Sequence, residues 1–322
     1  MKRTTHLITL LLSILLMAEG CKNTSRKQEN PLRVITLKGP SAISMVQMID
    51  QMQYMNETPL TFQIKTEPIH VTPLLYQKKA DFAVVPTNMA SILYNKDVPY
   101  QLAAVPVWGT LYLFGQDTLK NWQELKGKKI HLMAKGMTPD VMFRYLLEQH
   151  QIDPRTDVEL DYSFPTHIEL ANAIASGKAS MGVISEPMVS MVMEKNKHVH
   201  SIFSLNDEWK KVTNTEIPQT ALLVSKKIAS QHPEKVNQFL QEYRKSIQWV
   251  NEHAKEAGSL IVKHRIMNNE HAAIQSIPRC NMHYESAWDI KENINHYLEI
   301  FYRMNPDIIG GKLPDENFYY QP

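Results

Sequence analysis

Cysteine is almost absent from this chain. Among its 322 residues there are two, Cys21 and Cys280. Two cysteines exclude the disulfide framework that holds many exported domains together, so hydrophobic cores must stabilise the fold. An excess of either charge is also lacking, since 35 Lys and Arg stand against 33 Asp and Glu. This balance gives no indication of nucleic-acid binding.

Catalytic and metal-binding motifs are lacking as well. The turn Gly39-Pro40-Ser41-Ala42 does not follow the Gly-x-Ser-x-Gly pattern, and no Gly-x-x-x-x-Gly-Lys-Ser/Thr loop occurs. The 13 His residues show no metal-binding spacing. Methionines between residues 45 and 55 share one face of a helix predicted over residues 42–55, which indicates a core-facing helix rather than a copper site. We therefore predict no enzyme activity, no metal and no cofactor.

Long hydrophobic runs are missing apart from one near the N-terminus. Residues 7–18 form a mostly apolar run that follows Lys2 and Arg3. This pattern is typical of a signal peptide, and the run is too short to span a bilayer. We predict a signal peptide over residues 1–20 and a location outside the cytoplasm.

The run ends at Ala18-Glu19-Gly20-Cys21, which resembles the lipobox of bacterial lipoproteins. The resemblance implies that Cys21 is lipidated and anchors the protein to a membrane, in the periplasm or at the cell surface. The polar residues 21–30 would form the tether. The alternative is a plain secretory signal in which Cys21 has no role.

Two stretches of the chain match each other without a gap. Residues 79–96 align with residues 178–195, with 6 identities in 18 pairs. Each copy has the pattern of a buried strand, a polar turn and an apolar helix. Open α/β sheets bind ligands beyond the carboxyl ends of their strands. Two such turns suggest two similar lobes with a ligand between them, although any two strand-turn-helix units could look alike.

Strands alternate with helices along the chain, which predicts an α/β fold with mostly parallel sheets. The length suits two domains. A polar segment follows Gly115, and we expect the chain to pass into the second domain there. A strand near Pro218 returns the chain to the first domain. We predict one lobe from residues 31–115 and 216–322, and a second from residues 116–215. The region after residue 228 looks helical.

Hydroxyl side chains stand near several predicted helix starts, where free backbone N–H groups and the positive end of the helix dipole attract anions. They are Ser41, Thr72, Thr87 and Thr138, and Lys135 could add a positive charge. Together they predict a cleft for a small polar molecule.

A resemblance to a known family is carried by residues 81–87, 122–130, 136–140, 175–179, 185–187 and 217–224. In these segments the chain resembles periplasmic solute-binding proteins of ABC importers, in the family that serves uptake of nitrate, sulfonates, taurine and thiamine pyrimidine precursors. The resemblance covers most of residues 31–320. It implies a two-lobed, type II periplasmic-binding-protein fold with two hinge crossings. It also implies a small-molecule ligand and a membrane permease as partners, and we expect a monomer.

Carried over position by position, the resemblance implies a ligand site between the lobes. Thr87 and Glu186 should contact ligand rather than belong to a core, although Glu186 could instead be a catalytic acid or an exposed turn carboxylate. Lys135 is the one obvious cation, which leaves the ligand's charge open and allows an uncharged or zwitterionic molecule. The implied site residues are Gly39, Pro40, Ser41, Thr72, Thr87, Asn88, Trp108, Gly136, Met137, Thr138, Ser185, Glu186 and Pro218.

Two other functions remain open at this point. One is a ligand-binding sensor that feeds a membrane receptor. The other is an enzyme that resembles the pyrimidine synthases of the same fold. Those synthases carry a cysteine-rich motif, which this chain lacks.

Overall fold

The computed structural model describes residues 30–322, and the compact unit comprises Pro31–Pro322. The predicted signal peptide, Cys21 and the predicted tether up to Glu29 lie outside the described residues. Within residues 30–322, no helix is both long and apolar enough to cross a membrane. Cys280 is a buried free thiol.

Strands and helices alternate along most of the described chain. The strands are β1 (Leu32–Leu37), β2 (Tyr54–Met55), β3 (Thr58–Lys65), β4 (Phe82–Pro86), β5 (Tyr100–Trp108), β6 (Leu111–Gly115), β7 (Lys129–His131), β8 (Glu159–Asp161), β9 (Met181–Ser185), β10 (His200–Ser204), β11 (Pro218–Ser225) and β12 (Met282–Ser286). The helices are α1 (Pro40–Ser44), α2 (Val46–Gln51), α3 (Pro68–Tyr76), α4 (Thr87–Asn95), α5 (Thr138–Gln149), α6 (His167–Ala175), α7 (Met188–Lys195), α8 (Leu205–Thr213), α9 (Lys226–Gln231), α10 (Pro233–Glu252), α11 (Ala254–Lys263), α12 (Glu270–Ser276) and α13 (Lys291–Met304).

The strands form two sheets. The seven-stranded sheet has the order β12-β5-β11-β4-β1-β3-β2, and the five-stranded sheet has the order β10-β6-β9-β7-β8. We call the first sheet with its helices the first lobe, and the second sheet with its helices the second lobe. The α/β class with two lobes is thus confirmed.

The central strand of the first lobe shows why both sheet faces are covered. Phe82, Ala83, Val84 and Val85 of β4 are fully buried. Successive side chains of a strand point to opposite faces. Phe82 and Val84 accordingly belong to one hydrophobic cluster, and Ala83 and Val85 to another. The Phe82 ring stacks on Phe239 of α10 at 3.8 Å between centroids, which fixes α10 against the sheet.

The methionine-rich segment is buried, but it is not one helix as predicted. The chain leaves α1 at Met45, enters α2 and then turns into the short strand β2. Met45, Met48 and Met55 are buried in the core under α10 and α11. Three thioethers in an apolar core fit the interpretation as packing residues.

The first crossing between the lobes lies earlier than predicted. β6 belongs to the second lobe, so the crossing is Gly109 and Thr110 rather than the polar stretch after Gly115. The crossing is tight, because a Cβ on Gly109 would lie 2.6 Å from Oδ1 of Asn206. The same Oδ1 accepts a hydrogen bond from the Ile217 N–H at 3.1 Å, just before β11. Asn206 therefore contacts both crossings.

The C-terminal region is not entirely helical, which corrects the prediction. β12 pairs antiparallel with β5 and forms one edge of the seven-stranded sheet. As a result α13 begins only at Lys291, after β12.

The two matching stretches do fold alike. Each gives a buried strand followed by a helix, β4 with α4 and β9 with α7. β4 lies between the parallel β1 and the antiparallel β11. β9 lies equivalently between the parallel β7 and the antiparallel β6. The match is thus a repeated structural unit at the centre of each lobe.

Candidate functional site

The topology places the carboxyl edges of the two sheets next to each other. In the first lobe this edge holds the ends of β1, β4 and β5 and the start of β11, since Trp108 pairs with Pro218. In the second lobe it holds the end of β9 and the start of β6, since Ser185 pairs with Leu111. Only Gly109 and Thr110 separate Trp108 from Leu111. Ligands of α/β folds bind at such edges.

The edge of the first lobe contains buried hydroxyl groups without a partner. Oγ1 of Thr36, Thr87 and Thr220 has no hydrogen bond to any described residue. Thr36 and Thr87 are fully buried and Thr220 is 8% exposed. Thr220 pairs with Pro86, the residue before Thr87. A buried hydroxyl left unpaired costs about 1–3 kcal/mol, so these groups mark a place where a polar partner is needed.

The turn before α1 brings the first lobe against the second. Gly39 has φ of 100°, a conformation that glycine adopts without steric cost. A Cβ at this position would lie 3.5 Å from Cδ of Pro187 in the second lobe. Pro40 begins α1, and Ser41 is buried. Gly39 thus lies at the contact between the lobes, and Pro40 and Ser41 follow it directly in α1.

The edge of the second lobe offers a neutral polar pair. Oγ of Ser185, at the end of β9, lies 3.3 Å from Nδ1 of His167, at the start of α6. Burial lowers the pKa of His167 to about 4. The imidazole is therefore uncharged at neutral pH and can either donate or accept a hydrogen bond.

Glu186 is not an exposed turn carboxylate. It is 2% exposed, and its oxygens accept hydrogen bonds from the Ser190 N–H and hydroxyl at 3.2 and 3.0 Å. Nε of Arg279, from the first lobe, donates to Oε1 at 2.5 Å. Burial raises the pKa of Glu186, and Arg279 and Ser190 act against that rise. Thr87 and Glu186 are thus both deeply buried, which corrects the expectation that they would lie outside any core.

The segment before α5 is held mainly by its own lobe. The Gly136 N–H donates to Oδ2 of Asp140 at 2.7 Å, and Met137 is half exposed. Thr138 begins α5, and its side chain lies near that of Tyr297 of α13. The Lys135 ammonium lies 5.3 Å from the ring centroid of Tyr162, so its charge is stabilised on an aromatic face.

Trp108 and Pro218 lie together where the chain crosses between the lobes. Trp108 is 3% exposed, and its ring stacks on His283 of β12 with centroids 4.7 Å apart. The indole N–H donates to the His283 carbonyl at 3.1 Å. These contacts make Trp108 a rigid apolar wall beside the edge.

Two predicted site residues have other structural roles. Thr72 is not at a helix start, because α3 already begins at Pro68, and its hydroxyl donates to the Pro68 carbonyl at 3.2 Å. Asn88 is buried in α4, and its amide donates to the Ile308 carbonyl of the C-terminal segment at 3.2 Å. Asn88 therefore fastens the chain's end to the first lobe.

Sequence reasoning missed four residues of these edges. Thr36 and Thr220 had a usable signal, since each is a hydroxyl within a mostly apolar strand. His167 begins a helix after a strand, in the same kind of position as Thr87. Arg279 had no local signal, because its partner lies 93 residues away in the sequence.

One further surface cavity, of about 380 Å³, lies between α10 and β12, apart from the turns at the carboxyl edges of the sheets.

The sequence profile described as NMT1/THI5 like matches residues 54–257. The chain belongs to this NMT1/THI5-like family. The resemblance seen in the sequence is thereby confirmed.

Solved structures share the fold of this family member. An ABC transporter protein from Parabacteroides distasonis is 27% identical with a TM-score of 0.81, covering 91% of this chain and 99% of that one. The periplasmic aliphatic sulphonate binding protein SsuA from Escherichia coli is 15% identical with a TM-score of 0.73, covering 91% and 92%. The periplasmic nitrate-binding protein NrtA from Synechocystis is 14% identical with a TM-score of 0.65, covering 86% and 82%.

Among curated proteins, the binding protein YtlA of Bacillus subtilis is 29% identical over 134 residues. The match covers 42% of this chain and 38% of YtlA. The similarity thus extends over less than half of either protein.

Proposed function

We propose that this protein is the extracytoplasmic solute-binding component of an ABC importer. It would capture a small polar molecule between its lobes and deliver it to a membrane permease. The observation that carries the proposal is the set of unpartnered hydroxyls of Thr36, Thr87 and Thr220, on an edge adjacent to the second lobe. Polar groups of a ligand would provide the missing hydrogen bonds.

The comparisons support transport rather than catalysis. The protein from Parabacteroides distasonis, described as an ABC transporter, resembles this chain over nearly its whole length. The sulphonate and nitrate binders are under 20% identical, so they support the fold and not the ligand. We propose a binding protein and not an enzyme, acting as a monomer and anchored through lipid at Cys21.

The charges near the edges favour an uncharged or zwitterionic ligand. The Arg279 guanidinium is neutralised by Glu186, and the Lys135 ammonium lies over Tyr162. The edges also carry the hydroxyls of Thr36, Thr87 and Thr220, the Gln219 amide and the neutral imidazole of His167. Such groups exchange hydrogen bonds with either donors or acceptors.

Native mass spectrometry of the protein purified from its own host tests the proposal. We expect a one-to-one complex with a small molecule, released on denaturation. Titration calorimetry with the released compound, and with nitrate and an alkanesulfonate as probes, should rank the released compound first. A protein that carries no ligand and binds no compound of a broad metabolite panel would contradict the proposal.

A further inference from the structure

Glu186 and Arg279 join the two lobes. Glu186 directly follows β9 of the second lobe. Arg279 lies in a 3₁₀ helix, Ile277–Cys280, that leads into β12 of the first lobe. The Glu186 side chain is fully buried and that of Arg279 is 29% exposed. A pair so shielded from water is screened far less than a surface ion pair.

Ser190 completes the network. Its hydroxyl donates to Glu186 Oε1 at 3.0 Å and lies 2.6 Å from Nη2 of Arg279. Its backbone N–H donates to Glu186 Oε2 at 3.2 Å. The carboxylate therefore has donors from the first turn of α7 and from the other lobe at once. The network orients Glu186 within its own lobe, so Arg279 meets a preformed acceptor.

Further contacts join the same parts of the two lobes. The Tyr112 hydroxyl of β6 donates to the Arg279 carbonyl at 3.3 Å. Nδ1 of His271 in α12 lies 2.9 Å from Oε1 of Glu194 in α7. Ser190, Glu194, His271 and Arg279 line a groove of about 290 Å³ between these helices. These contacts lie along α7 and the segment from α12 to β12. A separate contact lies at α13, where Tyr297 packs against Trp209 of α8 with ring centroids 5.8 Å apart.

The opposite flank of the edges carries exposed apolar side chains. Ile69 follows β3 of the first lobe and is 73% exposed. Met137 and Ile168 follow β7 and β8 of the second lobe and are 50% and 60% exposed. β3 and β8 are the strands far from the crossings in their sheets. The Glu186–Arg279 contacts therefore lie near the crossings, while these apolar side chains on the far flank remain in solvent.

We propose that Arg279 and Glu186 form an inter-lobe latch that holds the turn Ser185-Glu186-Pro187 against the first lobe before ligand arrives. Arg279 is thus a positioning residue, acting through Glu186 on the ligand-facing turn. The functional meaning of the latch rests on the proposed ligand site between the lobes. The existence of the latch does not rest on that site, because the latch predicts the shape of the ligand-free protein.

Small-angle scattering of the ligand-free protein tests the latch. Arg279→Ala should increase the radius of gyration, and Arg279→Lys should restore part of the parent value. Arg33→Ala is the matched control, because Arg33 pairs with Asp81 at 3.0 Å within the first lobe alone. Its radius should equal that of the parent. Equal radii for Arg279→Ala, Arg33→Ala and the parent would overturn the latch.

A distance measurement keeps the test decisive if Arg279→Ala fails to fold. Glu186→Gln keeps the side-chain size and removes the charge. Spin labels at Ile69→Cys and Met137→Cys, in a Cys21→Ser background, report on both lobes, while labels at Tyr54→Cys and Ile69→Cys report on the first lobe alone. Glu186→Gln should lengthen or broaden the first distance only. An unchanged first distance would refute the latch, and it would leave the ligand proposal standing, because no ligand is used.

Discussion

Replacing the unpartnered hydroxyls by methyl groups should stabilise the ligand-free protein. Thr36→Val and Thr220→Val keep the branched shape that suits a strand and remove a buried group without a partner. The unpaired hydroxyl costs about 1–3 kcal/mol, and the methyl group adds buried apolar area. We expect the midpoint of thermal unfolding to rise by about 2–4 °C for each kcal/mol gained.

The same substitutions should weaken ligand binding. Losing one hydrogen bond to a buried group costs about 1–3 kcal/mol, or roughly 5- to 150-fold in affinity. Calorimetry of unfolding and of ligand titration measures both effects on one preparation. Thr61→Val is the control, because its hydroxyl already donates to the Leu32 carbonyl at 3.3 Å. Leu32 is the first residue of β1, at the end of that strand away from the ligand edge. It should change ligand affinity little.

Because stability should rise while ligand affinity falls in the same variants, the two measurements together test the prediction stringently. A destabilised, ligand-free Thr36→Val protein would mean that the hydroxyl has a partner and does not await a ligand. Unchanged affinity in both variants would place the ligand away from this edge.

Three further substitutions test other parts of the account. Burial holds the pKa of His167 at about 4, below its ordinary value of 6.5, so the unfolded chain takes up a proton first as the pH falls. The stability that the neutral imidazole provides should therefore be present above pH 6.5 and lost towards pH 4. His167→Gln should reduce the change in the free energy of unfolding over this pH range by at most about 3 kcal/mol, measured by urea unfolding. Gly109→Ala should destabilise the protein by about 1–3 kcal/mol in the same assay, because its Cβ would displace Asn206; unchanged stability would argue against a tight crossing. Cys21→Ser should release the protein from the membrane fraction, and a variant that stays bound would contradict lipid anchoring.

The central units of both lobes could be predicted because their signals are local. A run such as Phe82-Ala83-Val84-Val85 before a polar turn indicates a buried strand and a helix start without knowledge of the rest of the chain. The second copy, ending at Ser185, repeats the signal, so the two edges could be paired from the sequence.

The remaining features depend on residues far apart in the chain or on weak patterns. The Glu186–Arg279 pair joins positions 93 residues apart, and no local pattern marks it. β12 pairs along one side only and is mostly half-buried, so it lacks the apolar run of a central strand. The crossing at Gly109 and Thr110 is short and packed, whereas linkers are expected to be polar and exposed.

A crystal structure of the protein purified from its own host tests the central claim most directly. The account predicts one small molecule between the lobes, with hydrogen bonds to at least two of the hydroxyls of Thr36, Thr87 and Thr220 and to the Ser185–His167 pair. A ligand bound elsewhere, or these hydroxyls bonded within the protein itself, would contradict it.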